Sequence, residues 1–327
     1  MRLLALGAGI VLLVLLCVAS VAFGAADVTL DDIAGALSGQ SDTLAQAAVI
    51  KRMPRTVLAI LVGAALAISG TGMQAVTRNP VADPGILGVT SGAALAVVCG
   101  IAFIGMTDPV VSIVLAVIGA ALAATFVYVV GSLGRGGATP LKLALAGAAT
   151  TAALTSLVSA ILLPRVDILQ SVQSWQIGGV GGATWDRIAI LAPVLLVGAL
   201  ICVASSRGMN SLALGDDLAT GLGVHVARTR LITTVGAVIL AGAATAIAGP
   251  IAFVGLVVPH VCRMLVGTDH RWLVPFSALT GACLLLAGDV LGRVIARPDE
   301  IQVGVVTAVI GAPFFIWIVR RQKVREL

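Results

Sequence analysis

Residues 52–93 read RMPRTVLAILVGAALAISGTGMQAVTRNPVADPGILGVTSGA. From Thr56 to Val76 no side chain is charged, and the run has the length of about 20 apolar residues that a helix needs to cross a bilayer core. Arg52 and Arg55 stand before it and Arg78 after it. Asn79-Pro80 and Asp83-Pro84-Gly85 then turn the chain. A second apolar run follows, with Gly88, Gly92, Ala96 and Gly100 at every fourth position. Small residues at that spacing let helix backbones approach closely in lipid, where packing drives association. A genome rich in Gly and Ala codons is the other reading of such a stripe. The segment reads as span, turn, span.

The same pattern fills the rest of the chain. Hydrophobic residues are 59% of the 327, charged residues 11%, and mean hydropathy is +1.11. A soluble domain carries about 25% charge, so a soluble fold of this length is excluded. Apolar runs fall at 3–23, 56–76, 86–105, 110–132, 143–163, 188–206, 231–249, 251–267, 273–295 and 303–319. This predicts an all-α polytopic membrane protein of about ten transmembrane helices, forming a single transmembrane domain over 1–327. The eighth and tenth runs are the shortest, and 251–267 is open to a partly re-entrant path. The first run resembles a secretory signal in its Met1-Arg2 start. Its 21 or so residues exceed the usual 7–15 of a signal, which favours a retained helix.

An even count places both termini on one side, and charge bias chooses the side. With the N-terminus inside, Arg2, Arg78, Arg135, Lys142, Arg207, Arg228, Arg230, Arg263, Arg271, Arg320, Arg321, Lys323 and Arg325 are cytoplasmic, 13 of the 20 basic residues. Lys51, Arg52, Arg55, Arg165, Arg187, Arg293 and Arg297 are outside, along with most acids. Both termini are therefore expected in the cytoplasm. The net charge of +5 is scattered singly between apolar runs, which argues against a nucleic-acid partner. Cys17, Cys99, Cys202, Cys262 and Cys283 lie inside apolar runs without a C-x-x-C pair, so neither a disulfide framework nor a metal site is expected.

Two segments outside the spans carry order of their own. Within 24–54, Thr29-Leu30-Asp31-Asp32 fits a helix-capping box, and Leu30, Ile33 and Leu37 share a face, predicting a short interfacial helix on the extracytoplasmic side. Within the cytoplasmic segment 207–230, Leu214, Leu218 and Leu222 recur at every fourth position, while Gly215, Gly221 and Gly223 predict short helices broken by turns. An exposed apolar ridge of this kind is a docking surface for a soluble partner. A linker lying against its own spans is the alternative.

Several chemistries are missing. No G-x-x-x-x-G-K-[ST] loop precedes any of the three lysines, no H-E-x-x-H is present, and no G-x-S-x-G elbow occurs. The chain is not expected to be an enzyme, nor to bind ATP. Asp289 is the sole acid well inside a span, with Arg293 one turn later, an i, i+4 pair that neutralises itself. One such pair is thin support for ion coupling. Transport without its own energy source requires a partner that supplies it.

Specific strings then resemble a known family. The run from Arg52, SLALGDDLATGLG from Ser211, AGPIAFVGLVVPHVCRMLVGTDHR from Ala248 and GVVTAVIGAPFFIWIVRR from Gly304 are similar to the permease subunits of type II ABC importers for ferric siderophores, haem and cobalamin. The match spans essentially the whole chain, in the family's order, and catecholate-type siderophore permeases look most similar. The resemblance implies the type II importer permease fold in the bacterial cytoplasmic (inner) membrane. It implies a second permease subunit (a homologous partner rather than a copy), two ABC ATPases that hold ATP and Mg, and an extracytoplasmic binding protein. This chain itself would bind no cofactor. It implies ATPase coupling through Ser211, Leu212, Leu214, Gly215, Asp216, Leu218, Gly221, Leu222 and Gly223. Binding-protein docking would fall to Arg52, Arg55 and Arg293, with Arg297 a rival four residues away. The cytoplasmic gate would be Asn79, Val81, Pro140 and Leu141. Internal pairing with Asp299 or Glu300 is the alternative role for the outer arginines. Gln302 stands where many relatives carry Pro. Haem, cobalamin, or a secondary transporter using Asp289 are the competing functions.

Overall fold

In the computed structural model, residues 2–24, 27–85, 87–133 and 140–321 are described, and the secondary structure among them is helical. In chain order the helices are α1 (Arg2–Ala22), α2 (Leu30–Leu37), α3 (Leu44–Thr77), α4 (Val89–Ile104), α5 (Pro109–Ser132), α6 (Pro140–Leu162), α7 (Val166–Gln176), α8 (Trp185–Ala204), α9 (Ser206–Leu212), α10 (Asp216–Gly221), α11 (Val226–Ala248), α12 (Val254–Val266), α13 (His270–Ile295) and α14 (Val303–Arg321). Seven are long and apolar enough to cross a membrane: α1, α3, α5, α6, α8, α11 and α13. The apolar helices α4, α12 and α14 are shorter. These ten coincide with the ten apolar runs. The turn formers Gly134 to Thr139, together with Arg135, Lys323 and Arg325, lie outside the described residues.

Local chemistry sets several starts. Thr29 and Asp32 exchange hydrogen bonds at the head of α2, with Asp32 N donating to Thr29 Oγ1 at 3.2 Å and Thr29 N to Asp32 Oδ2 at 3.0 Å. Those bonds hold the Asp32 carboxyl below the usual carboxylate range. A second capping box, Thr43 with Gln46, opens α3. The second apolar run therefore begins its helix about three turns earlier than hydropathy predicts, and the end of segment 24–54 belongs to α3. Pro54 sits inside that helix without ending it. Asp108 caps α5 with Pro109 in the first turn, and Asp269 caps α13. Helix α12 is 13 residues, about 20 Å at 1.5 Å per residue, well short of a ~30 Å hydrocarbon core. Helix α7 was not signalled by any apolar run, because it is polar and short.

Helices α3, α11 and α13 are mostly buried, whereas α1 exposes nearly all of its surface. Helix α3 packs on α13, α11, α12 and α8, α5 packs on α4 and α11, and α1 leans on the outside of α13 and α3. Glycines set the closest crossings. A methyl at Gly63 would collide with the Gly281 carbonyl, one at Gly70 with Gly255, and one at Gly92 with Gly119. The stripe on α4 is thus a packing surface for α5. Around these crossings Leu58, Val62, Leu240, Leu285 and Leu286 are almost fully buried.

Candidate functional site

The functional residues fall at the two ends of the bundle. At the end where α1 finishes, α3 begins and α13 finishes, four arginines gather. Asp289 of α13 is buried, and its carboxylate is held from two sides. Arg55 Nε lies 3.0 Å from Oδ1 and 3.2 Å from Oδ2, and Arg55 Nη2 lies 2.9 Å from Oδ1. Arg293 Nη2 lies 3.0 Å from Oδ2. Arg55 also reaches Glu300 Oε2 at 2.6 Å.

Arg293 is 1% exposed. Besides Asp289 it donates to the Ser20 carbonyl at 3.0 Å, the Phe23 carbonyl at 3.1 Å and the Ser20 hydroxyl at 2.8 Å. Arg52 is 6% exposed and caps the end of α1, donating to the carbonyls of Val21 and Ala22 at 2.9 and 3.1 Å. These guanidiniums satisfy the terminal carbonyls that α1 leaves without intrahelical partners. Burial removes Arg52 and Arg293 from the reach of a soluble partner in this conformation. Arg297 is different. It is 36% exposed and its contact is Asp27, itself 94% exposed, at 3.0 Å. The i, i+4 pair of Asp289 and Arg293 is present as its spacing requires. The third member, Arg55, lies 234 positions away and carries no sequence signal. With both oxygens occupied by guanidiniums, Asp289 has no open position for a coupling ion, and the secondary-transport reading loses its residue.

At the opposite end, the segment after α8 folds into α9 and α10 joined by a turn at Gly215, whose φ of 106° is a left-handed value that suits glycine. Leu214, Leu218 and Leu222 are each more than half exposed, and this leucine ridge is built from α10 and the turns at its two ends rather than from one helical face. Gly221, Gly223 and Asp217 are exposed beside it, and Ser211 and Asp216 are half-buried. Leu212, by contrast, is fully buried, so it anchors α9 to the bundle and is no contact residue. Asn210 fixes the same helix to α13: its side-chain oxygen accepts from His270 N at 2.8 Å, and its Nδ2 donates to Asp269 Oδ1 at 2.6 Å.

Asn79 and Val81 follow α3 in a tight loop, with Val81 N donating to Asn79 Oδ1 at 3.1 Å. They line a cavity of about 220 Å³ with Thr77, Leu143, Ala144 and Phe315. Pro140 opens α6, and Leu141 beside it is 69% exposed and is not among the residues lining that cavity. The side chain of Pro140 lies outside the described residues, and the α6 residues that line this cavity are Leu143 and Ala144. Phe315 of α14 closes it, and its distance in sequence hid it. In the same loop Asp83 accepts from Gly85 N at 2.8 Å, and its desolvation pushes the carboxyl up to about 6 against that amide's downward pull. The sequence marks Asp83 as a turn former but carries no sign of its burial.

Residues 12–321 match the FecCD transport family. The chain is 43% identical over 318 residues to the iron(3+)-hydroxamate import system permease protein FhuB of Bacillus subtilis, covering 97% of this chain and 83% of the relative. It is 43% identical over 317 residues to the ferric enterobactin transport system permease protein FepD of Escherichia coli, covering 96% and 94%. Among solved structures it superimposes on a metal-chelate type ABC transporter in an inward-facing conformation with a TM-score of 0.82, at 29% identity, over 98% of this chain and all of that one. Seven membrane-length helices, the exposed leucine ridge and a family match across nearly the whole length lead to one conclusion: this chain is a permease of the FecCD transport family.

Proposed function

We propose that this chain is the transmembrane subunit of an ATP-driven importer that moves a ferric siderophore complex into the cytoplasm by alternating access. The observation that carries the reading is the ridge of Leu214, Leu218 and Leu222, exposed on a short helical segment in a protein of this family. Three exposed leucines close together on a polar segment mark a surface for a protein partner, and an ATPase that hydrolyses ATP outside this chain fits them. Two such ATPases, a second permease subunit, for which a homologous partner is preferred to a copy, and an extracytoplasmic binding protein complete the assembly. The α10 end then faces the cytoplasm and the Arg55–Asp289 end faces out. Equal identity to a hydroxamate and a catecholate permease supports the siderophore class without favouring either chelate.

Docking of the binding protein falls to what is reachable outside: Arg297, exposed Lys51, and the partly exposed Glu300 with the edge of Arg55. Arg52 and Arg293 shape that face from beneath. Reversing Arg297 to Glu is the clean probe, because reversing Arg52 or Arg293 also strips carbonyl partners from α1. The test is uptake of radioiron-labelled ferric enterobactin, and separately of a ferric hydroxamate, into proteoliposomes holding the full assembly. Uptake must depend on ATP and on the binding protein; uptake that proceeds without ATP would sink the importer reading. Undiminished uptake by Arg297→Glu would sink the docking assignment alone.

A further inference from the structure

Two residues at the cytoplasmic end, one opening the Asn79–Gly88 loop and one opening α10, are joined by charge. Arg78 caps α3 in the left-handed region, at φ 50° and ψ 33°, a conformation uncommon for a side chain larger than glycine. Its Nη2 lies 3.2 Å from Asp216 Oδ1. Arg230 of α11 places its own Nη2 2.9 Å from the same oxygen. The Arg78 guanidinium also lies over Gly215, the glycine turn between α9 and α10. A single carboxylate on the first residue of α10 therefore ties the end of α3 to the start of α11.

Packing leaves that tie room to act. Helix α10 rests on α9 and α11. On the α3 side of the link lies a cavity of about 1070 Å³, lined by Arg78, Asp216 and Arg230 and walled by α5 and α11 through Tyr128 and Leu231. Beyond Arg78 the chain is stiff. Asn79 N donates to the Gln74 carbonyl at 3.2 Å, and Ala82 N to the Asn79 carbonyl at 3.1 Å, so Asn79 and Val81 travel with Arg78. The turn before it is anchored to α12, where Gln74 Nε2 donates to the Gly255 carbonyl at 3.1 Å and Arg263 donates to Gln74 Oε1.

We propose that Arg78, Asp216 and Arg230 form an ionic strut that transmits displacement of the 211–223 segment to the Asn79–Val81 wall of the cytoplasmic constriction. This rests on the importer reading above. In this proposal Arg78 and Arg230 act as positioning residues, through Asp216. All three side chains are partly exposed, and exposed pairs contribute little to folding, so cutting the strut should uncouple the assembly without unfolding it.

The test uses the assembled complex in proteoliposomes, with radioiron-labelled ferric enterobactin or a ferric hydroxamate, whichever the wild type moves. Arg78→Gln is expected to lower iron moved per ATP hydrolysed by about 2- to 5-fold, while the ATPase still co-purifies. In the same variant a Val81→Cys probe should lose its nucleotide-dependent change in maleimide labelling, and Arg78→Lys should recover at least half of both. A wild-type ratio and labelling response in Arg78→Gln overturn the strut, as does equal loss in Arg78→Lys. Should Arg78→Gln fail to assemble, Arg230→Gln is judged by the same two readouts. Wild-type complex without ATP-dependent uptake refutes the importer reading instead, a result distinct from either outcome.

Discussion

Arg55 and Asp289 meet side-on at one end of the bundle, through three N–H···O contacts of 2.9 to 3.2 Å between α3 and α13. Removing the carboxylate leaves two buried cations, Arg55 and Arg293, facing one another. Breaking one partner of a buried ionic group costs about 3–5 kcal/mol. Asp289→Asn is therefore expected to destabilise the protein by about 3 kcal/mol, read as a lower thermal midpoint in detergent. Asp289→Ala combined with Arg55→Ala should cost less than the two singles summed, since they share one interaction. Strict additivity would show that the contact is inert.

The Gly63–Gly281 crossing makes a steric prediction. A methyl at Gly63 collides with a backbone carbonyl, which cannot rotate away, so α3 and α13 must separate. Overpacking of this kind costs about 1–3 kcal/mol, occasionally more. Gly63→Ala should lower yield and thermal stability sharply, whereas Gly7→Ala, with open space around it, should leave both unchanged. Equal behaviour of the two variants would contradict the crossing.

Asn210 joins α9 to the cap of α13 through both ends of its amide. Asn210→Ala removes a backbone cap and the main hydrogen bond that holds the Asp269 carboxyl below its usual range. A loss of about 1–2 kcal/mol is expected. The depressed carboxyl contributes stability that is present above its unfolded pKa and lost as pH falls through the folded value. The variant should consequently show a shallower loss of stability on acidification than wild type, measured as thermal midpoints across an acid series.

Asp83 has the opposite sign. Its carboxyl is raised from 3.8 to about 6, so the folded chain holds a proton that the unfolded chain releases between those values. Stability is then greatest below pH 4 as far as this group is concerned, and declines as pH rises toward 6. Asp83→Asn keeps an acceptor for the Gly85 amide and removes the charge. It should be more stable than wild type at pH 7.5 and nearly equal to it at pH 4. A wild-type-like gap between the two pH values in Asp83→Asn would exclude Asp83 as the titrating group.

Much of this architecture was legible because hydropathy measures what lipid selects. The run Thr56–Val76 and the turn at Asn79-Pro80 each became the element they announce, whereas of the Leu214–Leu218–Leu222 series only Leu218 lies within a helix. Sequence falls short where contact, not composition, decides. Helix α3 starts at Leu44 because Thr43 and Gln46 cap it, a signal invisible to an apolar window. The outer arginines read as docking residues because they oppose the charge bias and match the family's docking positions, with pairing to Asp299 or Glu300 as the alternative. Their partners are carbonyls of α1 and a carboxylate on α13, and neither leaves a mark at the spacing of a motif. Leu212 and Leu214 look alike in the string, yet only the fold separates the buried anchor from the exposed ridge.

Helix α13 has a mechanical consequence. Its 26 residues make a rod of about 39 Å. Asn210 grips one end at Asp269 and His270, and the Arg55–Asp289–Arg293 cluster grips the other. Near its middle Gly281 rests directly on Gly63 of α3, with no side chain between them. Helices α1, α12 and α14 also pack along it, so the rod is expected to move as one stiff body held at both ends. A push on the segment that carries Asn210 is then expected to reach the Arg55–Asp289 end of the bundle through this one helix.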